Sequence, residues 1–170
     1  MSMSHKAYAF DWRGFEFDLR PLLENALVTG NTGQLETFID DHREVLTDPH
    51  EGEPFSEDWR EALENRDVHE YGDYALTRFY TPADDCGIAE VWVRISGRLS
   101  RPAANALLGC SVGPPKRLFN PGRQGSYFQS PAQVPESLAI LKPLGVPELA
   151  PFVTLLERCA AEGCGVYVTF

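Results

Sequence analysis

Lys116, Arg117 and Arg123 stand in a stretch rich in glycine and proline, interleaved with Phe119, Asn120, Tyr127 and Gln129. Glycines leave backbone amides accessible, and a guanidinium grips a carboxylate or phosphate through two parallel hydrogen bonds. Lys116, Arg117, Arg123 and Tyr127 are therefore the candidate residues for binding an anionic small molecule. The alternative is that these cations dock on the protein's own acidic residues. The nearby run Gly109-Cys110-Ser111-Val112-Gly113 lacks the Gly-Lys-Ser/Thr ending of a phosphate loop.

A second group is acidic. Ten carboxylates, from Asp40 to Glu64, fall within 25 residues. Such a field repels nucleic acid, whose binding rests on phosphate neutralisation, and it speeds encounter with a basic protein. Asp41, Glu44, Glu51 and Glu53 are the candidate partner-binding carboxylates, with Phe55 and Trp59 as aromatic anchors. The competing reading is a solvated face that maintains solubility. Trp59, like Trp12 and Trp92, also lies in a patterned segment that suits a core.

Other groupings carry less. Asp40, Asp41, His42, His50 and Glu51 supply hard-metal ligands, but their spacing matches no metal loop and His42 falls on an apolar stripe. His69 with Glu70 and Asp73 makes no better set. The four cysteines, Cys86, Cys110, Cys159 and Cys164, include no C-x-x-C pair and read as free thiols of a reducing compartment. Cys86 has no identifiable base to activate it. No catalytic constellation, metal or cofactor is expected.

These residues sit in two halves of opposite charge. Residues 1–90 hold 21 Asp and Glu against 7 Lys and Arg, whereas residues 91–170 hold 4 against 8. A chain of 170 residues is most simply one domain and buries roughly 70% of its unfolded surface. The predicted organisation is an acidic, mainly helical part over 1–87, followed over 88–170 by a strand, the cationic loop and a terminal helix and strand. No apolar run approaches the roughly 20 residues that span a bilayer. The polar start through His5 and Lys6 points to a cytoplasmic protein.

Hydrophobic spacing predicts the elements. Tyr8, Phe10 and Trp12 alternate as a first strand. Asp18 is expected to cap a helix running to Val28 and stopped by Gly30. A second helix over about 34–46 places Leu35, Phe38, Ile39, His42 and Leu46 on one face. Ser56 is expected to cap a short helix with Trp59 inward, and Val68 to Tyr80 suits either helix or strand. Ile88 to Ile95 alternates as an internal strand. Ser100 caps a helix closed by Gly109.

Eight of residues 109–131 are Gly or Pro, which breaks regular structure there. Short strands are expected at Arg117–Phe119 and Ser126–Gln129. Ser130 and Gln133 have capping-box spacing for a helix toward Leu141. Pro147 opens the last helix, Gly163 stops it, and Gly165 to Phe170 alternates as a terminal strand. The predicted fold is α+β, a single domain with five to six helices on a small mixed sheet.

The segment Ser126-Tyr127-Phe128-Gln129-Ser130-Pro131-Ala132-Gln133-Val134, followed by Leu138 and Leu141, resembles a Y-x-x-[ST]-P-x-x-V segment. The ending Ala160-Ala161-Glu162-Gly163-Cys164-Gly165-Val166-Tyr167-Val168 looks like a helix–glycine–strand closure, and Leu107-Leu108-Gly109 fits beside it. Together they are similar to small bacterial YfbM-type proteins, a family without an established activity. The resemblance covers about the C-terminal third and implies no catalytic residue.

Two functions follow as expectations. The first is a non-enzymatic acidic module of immunity or regulatory type that binds a basic protein partner. The alternative is a binding protein or enzyme for an anionic small molecule, centred on residues 113–129.

Overall fold

A computed structural model describes residues 3–170, apart from the side chain of Arg123. Three strands form one sheet: β1 (Lys6–Phe10), β2 (Ser126–Gln129) and β3 (Gly165–Thr169). The order is β1-β3-β2, and both pairings are antiparallel rather than the mixed arrangement expected. A pair of helices separates β2 from β3, so the chain crosses the molecule twice and re-enters the sheet at the end where β2 left it. That return makes β3 antiparallel to its neighbour.

The period of two along each strand sends alternate side chains to opposite faces. Tyr8, Phe10, Phe128 and Tyr167 pack in one core. Against them lie α1 (Trp12–Gly14), a π turn (Phe15–Leu19), α2 (Arg20–Thr29), α3 (Gly33–His42) and α4 (Val68–Leu76). Ala7, Val166 and Val168 pack in a second core. It is closed by α5 (Val91–Ile95), α6 (Arg101–Ala106), α7 (Gln133–Leu141) and α8 (Ala150–Glu162). The chain is one α+β domain, with its acidic half on one face of the sheet and most of its basic half on the other.

Several local readings are corrected. The first helical stretch begins at Trp12, not after Asp18. Asp11 caps it by accepting from the amide of Gly14 at 3.0 Å, and Asp18 pairs with Arg78 at 3.1 Å. The π turn precedes Pro21, where the missing amide donor would otherwise interrupt a regular ladder. Trp59–Ala62 is a 3-10 turn preceded by Asp58, with no Ser56 cap.

Ile88 to Ile95 is not a strand. Only Ala89 bridges to His5, at a positive φ of 51° that turns the chain. Beyond it Val91, Trp92, Ile95 and Leu99 face the second core while Val93 and Arg94 point out, which is helical spacing. Trp92 stacks on His5 at 5.7 Å, a contact that straight continuation of the bridge would not set up.

His5 ties this region to the sheet. Its Nε2–H donates to the Leu107 carbonyl at 2.7 Å, and its Nδ1 accepts from the Ile88 amide at 3.2 Å. Burial lowers its pKa, so the ring stays neutral and keeps both bonds.

Other readings hold. Ser100 caps α6 through the Ala103 amide. Ser130 and Gln133 form the reciprocal capping box, with bonds of 2.9 and 3.4 Å. Gly163, at φ 71°, ends α8. Arg117–Phe119 forms no strand.

The cationic segment crosses back to the acidic face. Phe119 inserts into the first core, and its amide bonds the Val112 carbonyl at 2.8 Å. Its ring lies over Gly72 of α4. A Cβ at that position would stand 2.6 Å from Phe119 Cε2 and 2.9 Å from Leu23 Cδ1. In an exposed helix Gly→Ala would add about 1 kcal/mol of stability. Here overpacking of about 1–3 kcal/mol opposes and exceeds that gain. Gly72→Ala should therefore lower Tm by a few degrees in a thermal melt. A higher Tm would show that Phe119 is not held where described.

A cleft between α4 and the cationic segment

With Phe119 pinned to α4, the chain on either side of it stands off the acidic half and leaves a cleft of about 890 Å³. One wall carries His50, Glu64, Asp67, His69, Glu70, Asp73 and Tyr74. The other carries Lys116, Arg117, Leu118, Asn120, Pro121 and Gly122.

The acidic wall is built by local hydrogen bonds. Asp67 caps α4 by accepting from the Glu70 amide at 2.9 Å. The Glu70 carboxylate in turn accepts from the amides of Glu64, Asn65 and Arg66 at 2.8, 2.8 and 2.6 Å. That three-amide grip holds Arg66 at a φ of 52° and closes the turn entering the helix. Behind it, Asp48 accepts from the amides of His50 and Glu51 and from the Tyr74 hydroxyl. Burial pushes the Asp48 carboxyl up, but these donors outweigh it and hold the pKa below its ordinary value.

His69 joins the walls. Its Nδ1 accepts from the Asn120 amide at 3.0 Å, which leaves the proton on Nε2, and its ring stacks on Phe119. The Asn120 side chain then accepts from the Gly125 amide at 2.7 Å, which shapes the glycine turn beyond.

Asp73 differs from these groups. It is half-buried in the helix and has no hydrogen bond or ion pair among the described residues. Burial, then the charges of Asp48 and Glu70, push its pKa up to about 7, and Lys6 only partly opposes them. Raised pKa values in clefts are a mark of functional sites.

The expected ligand residues divide. Lys116 and Arg117 line the cleft and are exposed. Lys116 is in no ion pair among the described residues, and the Arg117 guanidinium donates to the Val28 carbonyl. Tyr127 does not join them: strand alternation turns it to the opposite face of the sheet, edge-on to Phe170 at 6.4 Å. The Arg123 side chain lies outside the described residues.

The expected partner residues also divide. Asp41, Glu44, Glu51 and Glu53 are exposed, and Phe55 is half-buried between Trp59 and Tyr74. Trp59 cannot serve as a surface anchor. Its residue is 2% exposed, its indole N–H donates to Asp40 at 3.0 Å, and the Arg60 guanidinium covers its ring. Arg60 also pairs with Asp40 and Glu36, and Arg43 pairs with Glu57. Among the described residues no ion pair joins the acidic first half to the basic second half.

His42 is a boundary residue whose Nδ1–H donates to the Phe38 carbonyl. No group of three or more His, Cys, Asp or Glu among the described residues is arranged to hold a metal ion.

The sequence presented Asp73 only as a weak metal-ligand candidate beside His69 and Glu70, not as a residue of a ligand cleft. Its signal was an acidic residue inside Tyr71-Gly72-Asp73-Tyr74-Ala75-Leu76, a run whose other five members are all buried. While the choice between helix and strand for that run stayed open, the carboxylate had no environment assigned to it.

The raised pKa has a stability consequence. Between the ordinary carboxylate value and about 7 the folded state binds a proton at Asp73 that the unfolded state has lost. Asp73 therefore costs nothing below about pH 4, destabilises progressively as pH rises to about 7, and reaches its full penalty above that. Asp73→Asn should match the wild type near pH 4 and exceed it by about 2–4 kcal/mol near pH 8, read by urea unfolding at both values. Equal stability of the two proteins near pH 8 would refute this.

Comparison of the chain with protein-family models, curated proteins and solved structures gave no match, and the residues of the cleft carry the functional assignment.

Proposed function

We propose that the protein binds a small molecule bearing an anionic group in the cleft between α4 and residues 116–122, with Lys116 and Arg117 as the partners of the anion. The carrying observation is that both cations line one wall of a cleft of about 890 Å³. Such a volume lies within the roughly 300–1,000 Å³ of small-molecule sites. Two further features support a ligand site. The walls are locked by the His69–Asn120 and Glu70 bonds, so little ordering is required on binding. Lys116 takes part in no ion pair among the described residues.

A second reading rests on the acidic face. Asp41, Glu44, Glu51 and Glu53 are exposed and take part in none of the described ion pairs, which suits attraction of a basic protein. With Trp59 buried, Phe55 is the aromatic group left at that surface. Neither reading favours nucleic acid, because two cations in one cleft cannot neutralise a run of phosphates and the acidic face repels them.

Among the described residues no helix is long and apolar enough to cross a membrane. A cytoplasmic location is part of this proposal, and it is supported by four cysteines that form no disulfide among the described residues.

A ligand that binds only the folded state raises Tm. A panel of carboxylates and phosphomonoesters should contain members that raise Tm by about 3–6 °C when present at ten times Kd. Lys116→Ala should abolish the shift while leaving the unliganded Tm within about 2 °C. A flat response across the panel counts against the cleft.

For the acidic face, a captured basic protein should be retained at low salt and released at high salt. It should be lost from a variant with Asp41, Glu44, Glu51 and Glu53 all changed to Lys. Retention by that variant removes the second reading.

A further inference from the structure

Two half-buried carboxylates line the cleft, and they are treated differently. Glu70 accepts three backbone amides, whereas Asp73 has no partner among the described residues. Asp73 is half-buried, and a carboxylate partly withdrawn from water without a donor is disfavoured in its charged form. The surroundings add to this, since Asp48 and Glu70 repel a charge on Asp73 and Lys6 offsets them only in part. A positively charged hydrogen-bond donor facing Asp73 would offset both effects.

We propose that Asp73 seats the ammonium group of a zwitterionic ligand, an amino-carboxylate whose acid end is taken by Lys116 on the opposite wall. The proposal rests on the small-molecule reading above and narrows it. An ammonium group brings three donors and a charge, which suits a bare carboxylate flanked by two others. A ligand carrying only negative charge would bring a further repulsion toward Asp48, Glu70 and Asp73. A simple amine would leave Lys116 without its counter-charge. Only a ligand with both groups meets the opposite sign at each wall.

The test uses the whole protein and named probes: β-alanine, γ-aminobutyrate and ε-aminocaproate, which differ in the distance between their charges. Each is compared with the carboxylate and the alkylamine of matching length, at constant ionic strength and near pH 8, by thermal shift and calorimetry. At least one amino-carboxylate should bind about tenfold more tightly than either matched probe. Asp73→Asn should abolish that advantage by weakening the amino-carboxylate, while the plain carboxylate, freed of one repelling charge, should bind no less tightly than to the wild type. Lys116→Ala should abolish both.

The melt of each Asp73 variant reports its folding, and Asp73→Ser provides a second substitution of the same charge. An amino-carboxylate that binds no better than its plain acid, or equally well to the Asn variant, overturns the assignment of Asp73 and leaves the anion site standing. Absence of any response to all nine probes, together with a flat response to the phosphomonoesters, overturns both.

Discussion

Burial of β3 on both of its faces is the constraint on which the rest of the structure depends. Tyr167 faces one core while Val166 and Val168 face the other, and all three are fully buried. A strand of period two, paired on both edges and covered on both faces, requires a helical layer on each side. The chain supplies the first layer from its acidic half and the second from its basic half. The charge separation in the sequence thus becomes a separation across the sheet. The two layers are held by apolar packing against β3, with no ion pair between the halves among the described residues.

One segment departs from this division. Residues 112–122 belong to the basic half in sequence but pack on the acidic side, because Phe119 finds its place against Gly72 and Leu23. A glycine in the middle of α4 lets an aromatic ring approach the helix backbone. The flanking polar chain cannot follow the ring inward, and its distance from α4 is the origin of the cleft. Hydrophobic insertion at one point therefore brings Lys116 and Arg117 opposite Glu70 and Asp73 without direct pairing. A salt bridge across that gap would have filled it.

Asp73 shows the tension between stability and use. Asp48, Asp67 and Glu70 are satisfied by amides or a hydroxyl, whereas burial and like charges make an ionised Asp73 a cost to the fold. Burial and two neighbouring charges raise its pKa to about 7, so its protonation changes where most carboxylates are silent. A group retained in an unfavourable state is often one that an incoming partner completes.

The sequence by itself determined several local stops, caps and faces, though not the caps expected at Asp18 and Ser56. Ser100, the Ser130–Gln133 box and Gly163 act within one turn of their own position, so their hydrogen bonds depend on spacing alone. The apolar stripes of α3 and α8 and the alternation of β3 were legible for the same reason, as was the division of charge. Tertiary structure decided what spacing leaves open. Val91, Val93 and Ile95 suit a strand by residue type, but the turn at Ala89 and the packing of Trp92 on His5 wind them into a helix. Lys116 and Arg117 were visible as cations, yet whether they meet Tyr127 or Asp73 depends on the sheet face to which β2 turns Tyr127 and on where Phe119 inserts. Both are contacts between residues far apart in the chain, and no local pattern encodes which distant surface a side chain will find.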